Sequence, residues 1–366
     1  MTCFHPMTIY VKNNLPINFE KLTEKEQKAI KKVWFKEYPQ TYQIQIPCGR
    51  CLGCRLDHAS MWATRLTMEA KEWKNNWFVT LTYNNGKRKN YNEEEIDKDS
   101  LPLTQKGEMT LRKKDVQDFM KRLRKHHEGE IEWINPKTDK KEKPIRYFAC
   151  GEYGPKGGRP HYHLALFNLK LTDLKPYKKN RQGDWLYTSK ELSKIWGNGF
   201  VIIGLLQPES ASYIARYVQK KSGITAKTRI YKYNDKEQKR EVIKIKGRPE
   251  EEFLVMSTGV GLGRKYWEEH KEFIKKYQYI SMKVGGKVRF KPIPKYFKKL
   301  WEKEDWYDYH VVRYERIRKA MEKQIAIMKL ENYSGANDEV KWNKHLAKME
   351  EILENKGKYL KRNNFI

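Results

Sequence analysis

His161-Tyr162-His163 is the sole H-x-H triplet in this 366-residue chain, and it stands in a run that alternates like a strand. Alternation puts His161, His163, Ala165 and Phe167 on one face and Tyr162, Leu164 and Leu166 on the other. Residues i and i+2 of a strand lie about 7 Å apart on one side, so two imidazoles at that spacing can lean onto one ion. Glu152 precedes a turn-rich connection, Tyr153 to Pro160. A hairpin there would bring its carboxylate to the same end of the adjacent strand as a third, hard ligand. Two imidazoles and one carboxylate leave positions for water and a phosphate oxygen, a set suited to Mg²⁺ or Mn²⁺ acting as a Lewis acid. The competing reading is a pair of surface histidines on an edge strand.

Tyr213, Tyr217 and Lys220 are spaced Y-x3-Y-x2-K. On a helix these positions share one face. A phenol can attack phosphorus and form a covalent intermediate, and a nearby ammonium favours the charge that develops. The competing reading is an amphipathic helix that uses both tyrosines for packing. The same Y-x3-Y spacing occurs at Tyr38 and Tyr42, but Pro39 argues against a helix there and no lysine follows at the right distance.

Cys48-Gly49-Arg50-Cys51-Leu52-Gly53-Cys54 is a C-x2-C-x2-C cluster. Such spacing lets thiolates converge on one ion, with glycines permitting the turns. A structural Zn²⁺ needs a fourth ligand; Cys3 is the first candidate, with His5 and His58 behind it. An iron–sulfur site lacks its downstream fourth cysteine. Three reduced thiols in a turn is the plain alternative. Cys150 lies in a strand-like segment and reads as a small buried apolar residue.

The elements that must position these groups can be read from periodicity. Arg55 to Glu72 reads as a helix, Trp77 to Tyr83 as a strand, and Asn84 to Gly107 as a long polar loop. Val116, Phe119, Met120 and Leu123 form the apolar stripe of a helix that opens at Thr110. Ile145 to Cys150 and His161 to Phe167 read as strands. Thr188 and Glu191 predict a capping box for a short helix ending near Trp196, Phe200 to Leu206 a buried strand, and Ser210 or Ser212 the cap of a helix through Lys221. This order predicts an α+β domain, an antiparallel sheet covered by helices on one face. A basic stretch follows near 224–250. Residues 305–366 read as a charged helical hairpin broken near Ser334 to Asn337. The predicted organisation is an N-terminal arm with the Cys cluster (1–54), a central catalytic domain (55–270) and a basic, helical C-terminal region (271–366).

Lys and Arg number 76 against 46 Asp and Glu, a formal net charge of +30. That surplus implies a polyanionic partner, nucleic acid before an acidic membrane surface. Aromatic residues make up 13% of the chain, with 11 Trp and 23 Tyr. Rings interleaved with basic residues suit single strands, whose bases stack while phosphates pair with Lys and Arg. The longest strongly apolar run, Phe200 to Leu206, is too short to span a bilayer, and no signal peptide is evident. The expectation is a protein that stays where it is made and has no membrane partner.

Three ordered segments resemble the motifs of HUH replication initiators: Trp77 to Tyr83; Gly151-Glu152-Tyr153-Gly154 with Gly158-Arg159-Pro160-His161-Tyr162-His163-Leu164; and the Tyr213, Tyr217, Lys220 helix. More narrowly, the chain resembles the replication initiation proteins of the Microviridae, gokushovirus branch. Cys3, the Pro47 to Cys51 cluster and Met256-Ser257-Thr258-Gly259-Val260-Gly261-Leu262-Gly263-Arg264 are similar to that branch, with Val260 where Pro is expected. The resemblance spans roughly residues 1–300. It implies a rolling-circle initiator that nicks single-stranded or origin DNA, holds the 5′ phosphate on a tyrosine and leaves a 3′ hydroxyl primer. The second tyrosine resolves the circle after one round. The chain has no G-x4-G-K-[ST] loop, so strand separation would fall to a host helicase and extension to a host polymerase, in the bacterial cytoplasm. The Gly259 to Arg264 segment reads either as a turn approaching DNA or as a plain structural loop. The alternatives are another HUH enzyme, a transposase or relaxase, and a non-catalytic, zinc-stabilised single-strand-binding protein.

Overall fold

Alternating apolar residues build the centre of the protein. In the strand Asn76–Thr82, every second residue, from Trp77 to Leu81, is buried in the larger of two apolar cores. The computed structural model describes residues 3–12, 23–25, 27–28, 41–84, 101–154, 158–180, 182–223, 230–234, 239–243, 249–330 and 338–362. The described elements are, in chain order, β1 (Met7–Lys12), β2 (Thr41–Ile46), α1 (Leu52–Lys71), β3 (Asn76–Thr82), α2 (Lys113–His126), β4 (Trp133–Ile134), β5 (Lys141–Glu142), β6 (Arg146–Tyr153) and β7 (Pro160–Phe167). They continue with β8 (Lys175–Lys179), β9 (Trp185–Thr188), α3 (Lys190–Trp196), β10 (Val201–Leu205), α4 (Pro208–Gly223), β11 (Ile230–Asn234), β12 (Lys239–Ile243) and β13 (Phe253–Met256). The last are α5 (Arg264–Tyr277), β14 (Tyr279–Val284), β15 (Lys287–Pro292), α6 (Lys295–Glu304), α7 (Trp306–Leu330) and α8 (Asp338–Arg362).

The chain forms two compact units, His58–Phe297 and a second one made of Met1–Asp57 with Lys298–Ile366. The first contains an antiparallel seven-stranded sheet in the order β13-β6-β7-β3-β10-β9-β8. The α+β class expected from the sequence is present. One part of the expectation fails: helices cover both faces. Val116, Phe119, Met120 and Leu123 of α2 and Leu192, Ile195 and Trp196 of α3 pack on the face carrying Val79, Leu81, Leu164 and Leu166. Leu66 of α1 and Ala211 and Ile214 of α4 pack on the other face, with Phe148, Cys150, Ala165 and Phe167. The central strands β6 and β7 are apolar on both sides, as strands buried on both faces must be, and a pattern of that kind does not say how many layers cover it.

Local boundaries shift for identifiable reasons. Ser189, not Thr188, caps α3, its hydroxyl accepting from Leu192 N at 3.0 Å. Helix α4 starts at Pro208, whose fixed φ suits a first helical position. Ser210 then lies inside the first turn and its Oγ accepts from Gln207 N at 2.8 Å, so neither it nor Ser212 is the cap. Phe200 and Leu205 at the two ends of the apolar run are 44% and 54% exposed, so the strand is buried only in its middle. The hairpin β8–β9 was not legible in its polar sequence. Much of the basic stretch near 224–250, residues 85–100 of the polar loop and the break near Ser334 to Asn337 lie outside the described residues.

A buried polar network fixes the segment after β13. Arg65 donates through Nε and Nη2 to Leu262 O at 3.2 and 3.0 Å, and Arg146 Nη2 donates to Val260 O at 2.9 Å. Glu69, 1% exposed, accepts from Trp73 Nε1, Gly263 N and Arg146 Nε. A Cβ on Gly261 would lie 2.4 Å from Tyr296 Cζ, so that glycine is required by close packing. Val260 and Leu262 are themselves buried. The segment is therefore a structural loop, which selects between its two sequence readings.

Candidate active site

Pairing of β6 with β7 sets Glu152 opposite His161 and Cys150 opposite His163. The hairpin thus brings the carboxylate and both imidazoles onto one face. His161 Nε2 and His163 Nε2 lie 2.6 and 3.0 Å from the same oxygen, Glu152 Oε1. Each ring is held from behind by its other nitrogen: His161 Nδ1 is 3.1 Å from Arg159 O, and His163 Nδ1 is 3.0 Å from Thr80 Oγ1. A protonated Nδ1 bonded to oxygen leaves the Nε2 lone pair free, the arrangement that orients metal-bound histidines. The three ligand atoms lie within 4.8 Å of one another. Two nitrogens and a carboxylate oxygen converging at that range fit a divalent cation with open positions. Burial opposes ionisation of Glu152, but hydrogen bonds and charge from His161 and His163 outweigh it and hold its pKa at about 2. The carboxylate is therefore ionised and ready to act as a ligand.

Tyr213 lies on α4, which buries Ala211, Ile214 and Ala215 against the sheet. Its ring packs edge-on against His163, centroids 5.4 Å apart, and against Phe78 at 6.0 Å. Tyr213 is 39% exposed, so a phenol abutting the histidine pair is open to solvent. Tyr217 and Lys220 are on the same helix, and their side chains lie outside the described residues. Thr80, Phe78 and the Arg159 carbonyl are parts of the site that sequence reasoning missed. Alternation along β3 puts Phe78 and Thr80 on one face, but only the pairing of Thr80 with His163 assigns them to the site.

The second cluster belongs to the other unit. Cys3, Cys48, Cys51 and Cys54 bring their sulfurs within 4.8 Å of one another. Cys48 and Cys54 sulfurs are 3.9 Å apart, as are those of Cys3 and Cys51. Four thiolates at about 2.3 Å from a central ion would stand about 3.8 Å apart in a tetrahedron, so the cage fits Zn²⁺. Backbone amides face the sulfurs: Cys48 N donates to Cys3 Sγ at 3.2 Å, Cys51 N to Cys48 Sγ at 3.3 Å and Cys54 N to Cys51 Sγ at 3.5 Å. Burial pushes the Cys3 and Cys54 thiols up. At Cys48 the amides of Cys51 and Arg50 overcome burial and lower the thiol to about 7, and amides likewise lower Cys51. Gly49 takes φ +74°, the left-handed turn that lets Cys48 and Cys51 converge. His5 instead contacts Glu350 at 2.8 Å, and Cys150 is fully buried in the sheet.

Comparison with known proteins agrees with this arrangement. The family model described as Replication-associated protein ORF2 matches residues 76–222, which contain the triad and the tyrosine helix. Replication-associated protein ORF2 of Spiroplasma virus 4 is 31% identical over 344 residues, 91% of this chain and 92% of that protein. Replication-associated protein VP4 of Bdellovibrio phage phiMH2K is 29% identical over 72% of this chain and 70% of that protein. Replication-associated protein ORF4 of Chlamydia phage 1 is 30% identical over 49% of this chain and 39% of that protein. No solved structure matches. The chain belongs to the replication-associated proteins of the Microviridae, the phages with small single-stranded DNA genomes. No helix among the described residues is long and apolar enough to cross a membrane.

Proposed function

We propose that the protein initiates rolling-circle replication by nicking single-stranded or origin DNA through tyrosine attack, in the cytoplasm of the bacterial host. The observation that carries this reading is the solvent-open phenol of Tyr213 packed against His163, whose Nε2 shares Glu152 Oε1 with His161. Glu152, His161 and His163 are the residues that would hold Mg²⁺ or Mn²⁺; bound there, the ion polarises a non-bridging oxygen of the scissile phosphate. Tyr213 loses its phenolic proton and its oxygen forms a bond to phosphorus. The P–O3′ bond breaks, and the departing oxygen takes up a proton to become the 3′ hydroxyl primer. The 5′ phosphate stays on the tyrosine. Tyr217, one turn along, is the second nucleophile that cleaves while the first end is held, and Lys220 stabilises the negative charge. Cys3, Cys48, Cys51 and Cys54 hold a structural Zn²⁺. A host helicase separates the strands and a host polymerase extends the primer.

The test is a denaturing gel of the full chain mixed with the phage's single-stranded circle and Mn²⁺. A metal-dependent protein–DNA adduct is expected for wild type and for neither His161→Ala nor the double variant Tyr213→Phe with Tyr217→Phe. Tight DNA binding with no adduct in any of the three would make the protein a non-catalytic single-strand-binding protein.

A further inference from the structure

We propose that Phe200 is the platform on which a base beside the scissile phosphate stacks, an assignment that rests on the nuclease reading above. Single exposed apolar residues are ordinary on protein surfaces, so exposure of Phe200 is not the argument. Its position is. Phe200 O accepts from Thr82 N at 3.0 Å and from Thr82 Oγ1 at 3.3 Å. Thr82 is the register partner of His161. Phe200 is therefore two strands from the histidine pair, about 10 Å across the sheet. The next residues, Val201 and Ile203, are buried in the core under α2 and α3. Alternation then turns Phe200 to the opposite face, the one that carries His161 and His163.

The backbone holds that ring in place. Gly197 ends α3 with φ +69°, and Asn84 N donates to Asn198 O at 2.8 Å. Trp196 Nε1 donates to Thr82 O at 2.9 Å. Gly199 has φ +147°, and a Cβ there would lie 2.5 Å from both Asn84 N and Thr82 O. A turn that only glycine can make thus presents a phenylalanine to solvent beside the triad, where it adds nothing to either core. Ile203 pairs with Tyr187, and the β8–β9 register pairs Lys175 with Thr188 and Lys178 with Leu186, so both lysines face the same side as Phe200. Rings that stack bases and lysines that follow phosphates are the parts of a single-strand path. The path runs from the triad over β3, past Phe200, to β8.

The test measures binding of the full chain to a fluorescent oligothymidylate of about 20 nucleotides in EDTA, so that no cleavage occurs. Stacking of one base predicts that Phe200→Ala weakens binding by roughly 5- to 150-fold and that Phe200→Trp restores it. Leu205→Ala, an equally exposed apolar residue on the opposite face, should leave binding unchanged. On the phage's circle with Mn²⁺, Phe200→Ala should raise KM and leave kcat within about twofold. Wild-type-like binding and KM in Phe200→Ala overturn the platform, even if the adduct forms. Weakened binding restored by Trp, with no adduct in wild type, keeps the platform and sinks the nuclease reading instead. A drop common to Phe200→Ala and Leu205→Ala also overturns the proposal, since it reports general surface change.

Discussion

Thr80→Val removes one hydroxyl from behind the site and little else. Valine keeps the β-branched shape that suits β3, and Thr80 is a half-buried strand residue paired with His163. What is lost is the 3.0 Å contact between Thr80 Oγ1 and His163 Nδ1. That contact selects the tautomer that aims the Nε2 lone pair at Glu152 and fixes the ring plane. Removing such an outer partner typically costs 10- to 100-fold in metal affinity, about 1.4–2.7 kcal/mol. The remaining constraints on the ring, stacking on Phe78 at 5.4 Å and the edge contact with Tyr213, stay in place. The loss should therefore fall on metal affinity and spare the arrangement of the nucleophile. The assay is adduct formation titrated with Mn²⁺. The midpoint should move up by about 10- to 100-fold, and at saturating metal the rate should return to within a few-fold of wild type. A midpoint within twofold of wild type, in a preparation where Glu152→Gln abolishes the response, would refute the claim that Thr80 orients His163.

Three further outcomes follow from the same geometry. In the metal-free protein, Glu152 titrates at about 2, below the usual carboxylate value near 4.5. Its contribution, about 3 kcal/mol, is present above pH 4.5 and lost as pH falls toward 2; Glu152→Gln should flatten that acid limb in a plot of melting temperature against pH. Cys48, with a thiol lowered to about 7, should release Zn²⁺ as acid protonates the cluster, and Cys54→Ser should lower bound zinc measured by a chromogenic chelator. Glu69→Ala strands the buried Arg146 guanidinium and the Trp73 and Gly263 donors, so it should cost about 3–5 kcal/mol of stability by denaturant unfolding; a loss under about 1 kcal/mol would show that the network relaxes around the gap.

The chemistry-bearing residues were legible because their types and spacings are local. An H-x-H in an alternating strand puts two imidazoles on one side, a C-x2-C-x2-C turn gathers three thiols, and the α+β class follows from the order of periodic segments. Period two also told which residues of β7 share a face, since alternation is a property of the strand alone. It could not tell what covers each face, so the second layer of helices, on the side of His161 and His163, was missed. The same limit hid the partners. Thr80 reaches His163 only because β3 pairs beside β7 in one register, and Cys3 joins the other thiols across 45 residues of chain. The exposure of Phe200 has the same origin. An apolar run predicts burial, but the Gly197 to Gly199 turn and the hydrogen bonds of Thr82 and Asn84 decide where the buried part begins. Strand register and contacts between distant segments are set by packing of the whole sheet, so residue type and spacing identify the groups, while tertiary structure alone determines which of them meet.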